Sequence, residues 1–269
     1  MTPQAGRAAD APRIFTPEYY RRMRDLERLS WWNAGMRDVA ALLLERASLG
    51  PAGLLVDVGC GSGQTTTWFA GAHPGWQTVG IDLAMDGLQA ARALGATAVL
   101  RGSATALPLR SRSADLVITL DVLQHLPLDG GDQRALSEIA RVLKPGGHLF
   151  LRTNAQSFPR RDDDRAFDFH KYGTRELGAK LVKAGFEVVR LGRLNALLGL
   201  AEIPRELRSK RSPHSYTGLM SQPRVEARWL WTAKRRLIAF EGRGVRRGLS
   251  WPLGRTIVAL CRLPGRSSP

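Results

Sequence analysis

Val56-Asp57-Val58-Gly59-Cys60-Gly61-Ser62-Gly63-Gln64 is an apolar run that breaks into alternating glycines. It reads as a buried strand passing through a tight turn into a helix. Gly59 and Gly61 carry no Cβ, so the backbone there can take positive φ and approach a ligand, while Gly63 lets the next helix sit close to the sheet. The first turn of that helix points unsatisfied N–H groups at the same place, which suits a nucleotide-like cofactor. A glycine run alone also serves purely structural turns, so its surroundings decide the matter.

About twenty residues on, Thr78-Val79-Gly80-Ile81-Asp82 is a second apolar strand ending in an acid, placed to accept two hydrogen bonds from ribose hydroxyls. Ala114 to Asp121 is a further strand followed by Val122-Leu123-Gln124-His125-Leu126, and Leu143-Lys144-Pro145-Gly146-Gly147 feeds another. Together VDVGCGSG, the acid of GID, LPLRSRSADLV, LDVLQHL and LKPGGHL resemble, in order and spacing, the class I S-adenosylmethionine-dependent methyltransferases, in the methyltransferase type 11, ubiquinone/menaquinone-like branch. The resemblance covers roughly residues 50–190.

The fold expected is α/β: a Rossmann-like, doubly wound seven-stranded sheet with helices on both faces. Alternating strand and helix patterns argue for parallel strands near 53–58, 77–82, 96–101, 114–120, 147–153, 186–193 and 255–262. The resemblance implies that the last strand is antiparallel. Residues 1–13 read as a disordered tail and 14–48 as a helical cap, starting at Thr16-Pro17-Glu18 and resuming over 33–47 behind Trp31-Trp32. The cofactor-binding core is expected over 49–194. Residues 195–250, too long for a plain loop, read as an inserted helical lid, with Trp229, Leu230, Leu237 and Phe240 on one apolar face. The last core strand and tail occupy 251–269.

Two cysteines, Cys60 and Cys261, are too few for a disulfide framework and read as small buried residues. No secretory-type apolar core occurs in the first residues and no run of 18 apolar residues occurs anywhere, so a cytoplasmic protein is the expectation. The net charge of +16 is uneven: from Arg205 onward fifteen Lys and Arg face three acids. Such a tail suits RNA, an anionic membrane surface or an acidic small molecule. Arginine outnumbers lysine 34 to 6 across the chain, and a sequence-wide arginine preference accounts for the same charge equally well.

The resemblance assigns cofactor contacts by position. Gly59, Cys60 and Gly61 underlie the methionine moiety, with Asp57 beneath. Asp82 takes the ribose, Leu83 flanks the adenine, and Leu120 and Asp121 offer carbonyls to the ammonium group. Gly102-Ser103-Ala104 forms the adenine loop, where the commonest pattern has aspartate in place of Ser103. A serine hydroxyl accepts a bond there more weakly. The cofactor so implied is S-adenosylmethionine, leaving as S-adenosylhomocysteine, and methyl transfer from a sulfonium needs no metal.

Three residues compete for the role of base: His125 after LDVLQ, and His170 and Tyr172 ahead of the Thr-x-x-Glu-Leu-like helix, where they are expected near the mouth of the site. His125 equally suits packing beneath the cofactor, and Tyr172 a helix start. Trp32, with Trp31, either roofs the cofactor pocket, walls an apolar acceptor site or fills the core, ahead of a helix bearing Arg37. Asp162, Asp163, Asp164 and Asp168 lie among Arg160, Arg161 and Arg165, so a self-neutralising loop is expected there in place of a metal site. The acceptor expected first is a small molecule, such as a natural product, a lipid-like compound or a peptide end. RNA is second, a non-catalytic cofactor-binding module third, and peripheral contact with anionic membrane a variant of the first. Oligomeric state is not legible.

Overall fold

A computed structural model describes residues 29–127, 129–156, 170–200 and 227–265. Helix α1 (Trp31–Leu44) leads through a 3₁₀ turn into β1 (Gly53–Val58). There follow α2 (Gln64–Ala72), β2 (Trp76–Asp82), α3 (Met85–Ala93), β3 (Ala98–Arg101) and β4 (Ala114–Leu120). Then come α4 (Gly131–Val142), β5 (Leu143–Asn154), α5 (Thr174–Lys183), β6 (Glu187–Leu194), α6 (Arg228–Arg246) and β7 (Thr256–Arg262).

The seven strands form one sheet in the order β3-β2-β1-β4-β5-β7-β6. Strands β1 to β5 are parallel, and β7 inserts antiparallel between β5 and β6. Side-chain alternation explains why both faces are covered. Leu116, Ile118 and Phe150 point to the face covered by α1, α2 and α6, whereas Val117, Leu149 and Leu151 point to the face covered by α4 and α5. Leu116, Ile118 and Leu136 are fully buried, and truncating any of them to alanine would cost about 2–5 kcal/mol.

Helix α1 begins two residues earlier than the sequence suggests, because the Ser30 side chain caps it by accepting the Asn33 N–H at 3.3 Å. The tryptophan pair therefore lies inside the helix. Strand β5 begins at Leu143 and includes the Pro-Gly-Gly stretch, with a register shift against Ala114 and Leu116. The expected tail over 1–13, the start at Thr16, the acidic loop around 162–168 and residues 201–226 of the expected lid lie outside the described residues.

Helix α6, within the described part of that lid, lies along α1. Gly242 and Gly35 make this approach possible: a Cβ on Gly242 would stand 2.8 Å from Val39, and one on Gly35 3.4 Å from Ile238. The apolar face expected from Trp229 and Phe240 is turned the other way, with these residues 73% and 53% exposed. The packed stripe runs instead through Ile238, Glu241, Gly242 and Val245, whose small members permit closest contact. Among the described residues no helix is long and apolar enough to cross a membrane.

Candidate functional site

Strand order reverses between β1 and β4, since the chain runs outward from β1 through β2 to β3 and then returns to β4 on the other side. The carboxyl ends of β1 and β4 therefore open a crevice, where open α/β sheets bind ligands. The glycine turn sits at its base. Gly59, Gly61 and Gly63 all have positive φ, at 75°, 51° and 79°. A Cβ on Gly59 would lie 2.2 Å from Val122, and one on Gly63 2.6 Å from Ala91.

Asp82 fastens that turn. Its Oδ2 accepts the Gly61 N–H at 2.9 Å and its Oδ1 accepts the Ala84 N–H at 2.9 Å, while the Gly59 and Cys60 amides donate to the Ile81 carbonyl at 2.7 and 3.0 Å. Each carboxylate oxygen keeps a further lone pair for a ligand hydroxyl. Asp57 is buried and accepts a 2.6 Å bond from Thr66 Oγ1, tying β1 to α2 below the turn. The Cys60 side chain points down against Gly80, in a small cluster with Leu88 and Val99. Burial, followed by the nearby Asp57 and Asp82 charges, holds its thiol strongly protonated. Its backbone alone faces the crevice side of the turn.

Around the expected adenine position, Leu83 is exposed at 61% beside Asp82, an apolar side chain left open at the rim. Gly102 donates its N–H to the Asp82 carbonyl at 3.0 Å, and a Cβ there would strike Pro108. The Ser103 hydroxyl is engaged within its own turn, 2.8 Å from Thr105 Oγ1 and accepting the Thr105 N–H at 3.2 Å. Ala104 is buried in the core.

At the end of β4, Asp121 adopts positive φ (58°), a costly conformation for a residue with a Cβ. It is held there by its N–H donating to the Arg152 carbonyl at 2.9 Å and by its carboxylate pairing with the Arg152 guanidinium. Arg152 lies opposite Leu120 in the β4–β5 register. Leu120 and Arg152 line a cleft open to solvent, together with Met36, Arg37, Gln64 and Trp68. Arg37 has no carboxylate partner among the described residues, and Gln64 Nε2 is buried without an acceptor. Trp32 is half-buried, edge-on to Trp31 at 5.8 Å and packed against the α1 core, and it does not line this cleft.

The three candidate bases occupy distinct environments. His125 is half-buried in the 3₁₀ turn after β4; burial lowers its pKa and Asp121 opposes the shift. His170 is part-exposed, with Nε2 2.8 Å from Glu176 Oε1 and its backbone N–H bonded to the Gln124 carbonyl at 3.0 Å. Tyr172 is not at the mouth, as its position in sequence suggests, but fully buried. Its hydroxyl lies 3.0 Å from Asp132 Oδ2 and 3.2 Å from the Leu123 carbonyl, so its apolar ring joins the core and its polar end finds partners there. Burial, then the Asp132 charge, pushes its pKa far up.

Thr66, Gln64, Arg152 and Glu176 carry no functional signal in sequence as a group, because their contacts cross between elements. Only Gln64, directly after the glycine run, carries a local signal. Among the described residues no cluster of His, Cys, Asp and Glu could hold a metal ion.

Residues 56–151 match a family model described as a methyltransferase domain. The chain is 35% identical over 130 residues to the ubiquinone/menaquinone biosynthesis C-methyltransferase of Syntrophotalea carbinolica, covering 45% of this chain and 48% of that protein. It is 32% identical over 113 residues to the tRNA (carboxymethyluridine(34)-5-O)-methyltransferase of Arabidopsis thaliana, covering 42% of this chain and 26% of that one. It thus spans about half or less of the length of these curated relatives. In three dimensions it is similar to a chain from the Haloferax volcanii complex between the Trm112 methyltransferase activator and a methyltransferase. That likeness has a TM-score of 0.59 at 19% identity, over 94% of this chain and 97% of that chain, and it concerns the fold. Residues 56–151 of this chain therefore form a methyltransferase domain, similar to those of the class I S-adenosylmethionine-dependent methyltransferases.

Proposed function

We propose that this chain transfers a methyl group from S-adenosylmethionine to a small, largely apolar acceptor. The observation that carries the reading is the joining of the glycine turn to Asp82, with the Arg37 guanidinium and the Gln64 amide donor, both without a partner among the described residues, in the cleft alongside. Asp82 would take the ribose hydroxyls, Leu83 and the backbone of Gly102 to Ala104 the adenine. The Leu120 and Asp121 carbonyls would take the ammonium group. Arg37 and Gln64 Nε2, neither foreseen as cofactor ligands, would then take the carboxylate of the same amino-acid moiety, since both lie in the cleft that Leu120 lines.

The bound sulfonium supplies an already activated methyl, so the chain's own task is placement, exclusion of water and, for a protonated acceptor, removal of a proton. We assign that last role to His170. Glu176 fixes its ring, and with Nε2 donating to the carboxylate, Nδ1 is left as the proton acceptor. Tyr172 is assigned to positioning, because its hydroxyl is committed to Asp132 in the core. The apolar side chains of Met36, Trp68, Ile118 and Phe150 favour a compact organic acceptor.

A nucleic-acid acceptor is the second reading, favoured by the tRNA-methyltransferase relative and the basic final quarter. Isothermal calorimetry with S-adenosylhomocysteine, followed by a methyl-transfer screen over small acidic and apolar acceptors and bulk tRNA, tests the proposal. Transfer to tRNA alone would replace the first reading with the second. Failure to bind the cofactor would remove both.

A further inference from the structure

The outward face of α6 takes no part in the site described, yet its composition is unusual for a surface helix. Trp229, Ala233, Arg236, Phe240, Arg243 and Arg247 are all exposed and follow one another at spacings of three and four, so they share one side of the helix. Two aromatic side chains on that stripe remain more than half exposed. Leu249 and Leu253, just past the helix end, add 57% and 45% exposed aliphatic surface.

The cations on the stripe form no ion pair among the described residues. The α6 arginines that form ion pairs point sideways or inward: Arg235 donates two hydrogen bonds to the Asp38 carboxylate, and Arg246 meets Glu45 at 2.9 Å. Arg236, Arg243 and Arg247 have no such partner among the described residues. The helix's own acid, Glu241, is fully buried on the opposite side, where it accepts the Ala196 and Leu197 amides. The outward stripe is thus wholly cationic and apolar.

The platform is firmly held. Trp251 donates its indole N–H to the Glu241 carbonyl at 3.1 Å and lies 5.8 Å from the Phe240 ring. Helix α6 runs parallel to α1, from Trp231 donating to the Leu29 carbonyl at one end to Arg246 at Glu45 at the other. Its Trp229 end therefore lies beside the beginning of α1, where Asn33, Met36 and Arg37 line the cleft.

We propose that this face of α6 is a docking surface for an anionic lipid bilayer, the arginines meeting headgroup phosphates and Trp229, Phe240, Leu249 and Leu253 entering the headgroup–acyl boundary. Charge complementarity selects an anionic partner. The aliphatic members select lipid over nucleic acid, because exposed leucines gain from acyl chains and offer nothing for a base to stack on. Docked this way, the chain would hold its cleft edge toward the lipid. The proposal is independent of the methyl-transfer reading.

The test is flotation of the full chain with phosphatidylcholine vesicles carrying about one-third phosphatidylglycerol, against pure phosphatidylcholine vesicles and against polyuridylate. The expected result is co-flotation with the anionic vesicles alone, weakening as salt is raised. A triple Arg236→Ala, Arg243→Ala, Arg247→Ala chain should lose on the order of 100-fold in partitioning, at about fivefold per guanidinium. Trp229→Ala with Phe240→Ala should lose at least about tenfold. All five side chains are exposed or partly so, and unchanged thermal melting checks that the variants fold. Three results would each overturn the proposal: no flotation, flotation unaltered in the triple variant, or salt-sensitive retention by polyuridylate without vesicle binding.

Discussion

Asp82 Oδ2 accepts the backbone N–H of Gly61 at 2.9 Å, so the acid at the end of β2 holds the apex of the glycine turn in addition to the ribose contact proposed for it. Replacing it with alanine removes both effects. Asp82→Ala should weaken S-adenosylhomocysteine binding by at least about tenfold, the scale of one lost charged hydrogen-bond set. Unchanged affinity in calorimetry would contradict the assignment.

Gly59 is required twice over, by its positive φ and by the 2.2 Å approach its Cβ would make to Val122. Gly59→Ala should destabilise the fold by roughly 2–5 kcal/mol through both effects. Adding Val122→Ala should relieve the steric part and leave the backbone part. Denaturant melts of the single and double variants separate the two, and no recovery in the double variant would mean that the contact with Val122 is not the obstacle.

Arg37 has no countercharge among the described residues and Gln64 Nε2 no acceptor, although both face the same cleft. Arg37→Ala should therefore weaken cofactor binding by roughly tenfold while leaving thermal stability nearly unchanged, because no native ion pair is lost. A loss of stability without loss of affinity would make Arg37 a structural residue.

Tyr172 and Asp132 make a buried pair that pins the start of α5 against α4. Tyr172→Phe should cost about 1–2 kcal/mol of stability with little change in turnover per folded molecule, whereas His170→Ala should lower turnover more than cofactor affinity. Acid sensitivity follows from the same region. Burial works to raise the Asp132 pKa, but bonds from Lys180 and Tyr172 outweigh it and hold the carboxyl below its ordinary 3.8. Arg141 holds Glu138 below 4.5. Both add stability above those values that is lost as pH falls through them. His125, held below 6.5 by burial, adds an earlier loss that begins as pH drops under 6.5. Burial, and then the Arg262 charge, also hold His148 below 6.5, so melting temperature should fall in two stages from about pH 7 to pH 3, with His125→Gln shrinking the first and His125→Gln with His148→Gln removing it.

The sheet was legible because strand alternation and the strand–glycine–helix transition are local patterns. Each of the seven strands lies within a few residues of where its apolar run predicts it. The orientation of α6 was not legible. Hydropathy favours burying Trp229 and Phe240, but Gly242 and Gly244 carry almost no hydropathy and yet allow the closest approach to Val39 and Trp251. Tyr172 misled for a related reason. Its neighbour His170 does reach the surface, and only Asp132, forty residues away in sequence, shows that the tyrosine hydroxyl has a partner inside. The Asp121–Arg152 pair and the Arg37–Gln64 cleft join different elements, and no spacing rule within one element encodes them.

The most direct test of the central claim is a crystal structure of the chain with S-adenosylhomocysteine. The ribose should lie on Asp82, the homocysteine carboxylate should face Arg37 and Gln64, and the sulfur should point into the apolar cleft. A ligand seated elsewhere, or a site that takes a nicotinamide or flavin dinucleotide in its place, would contradict it.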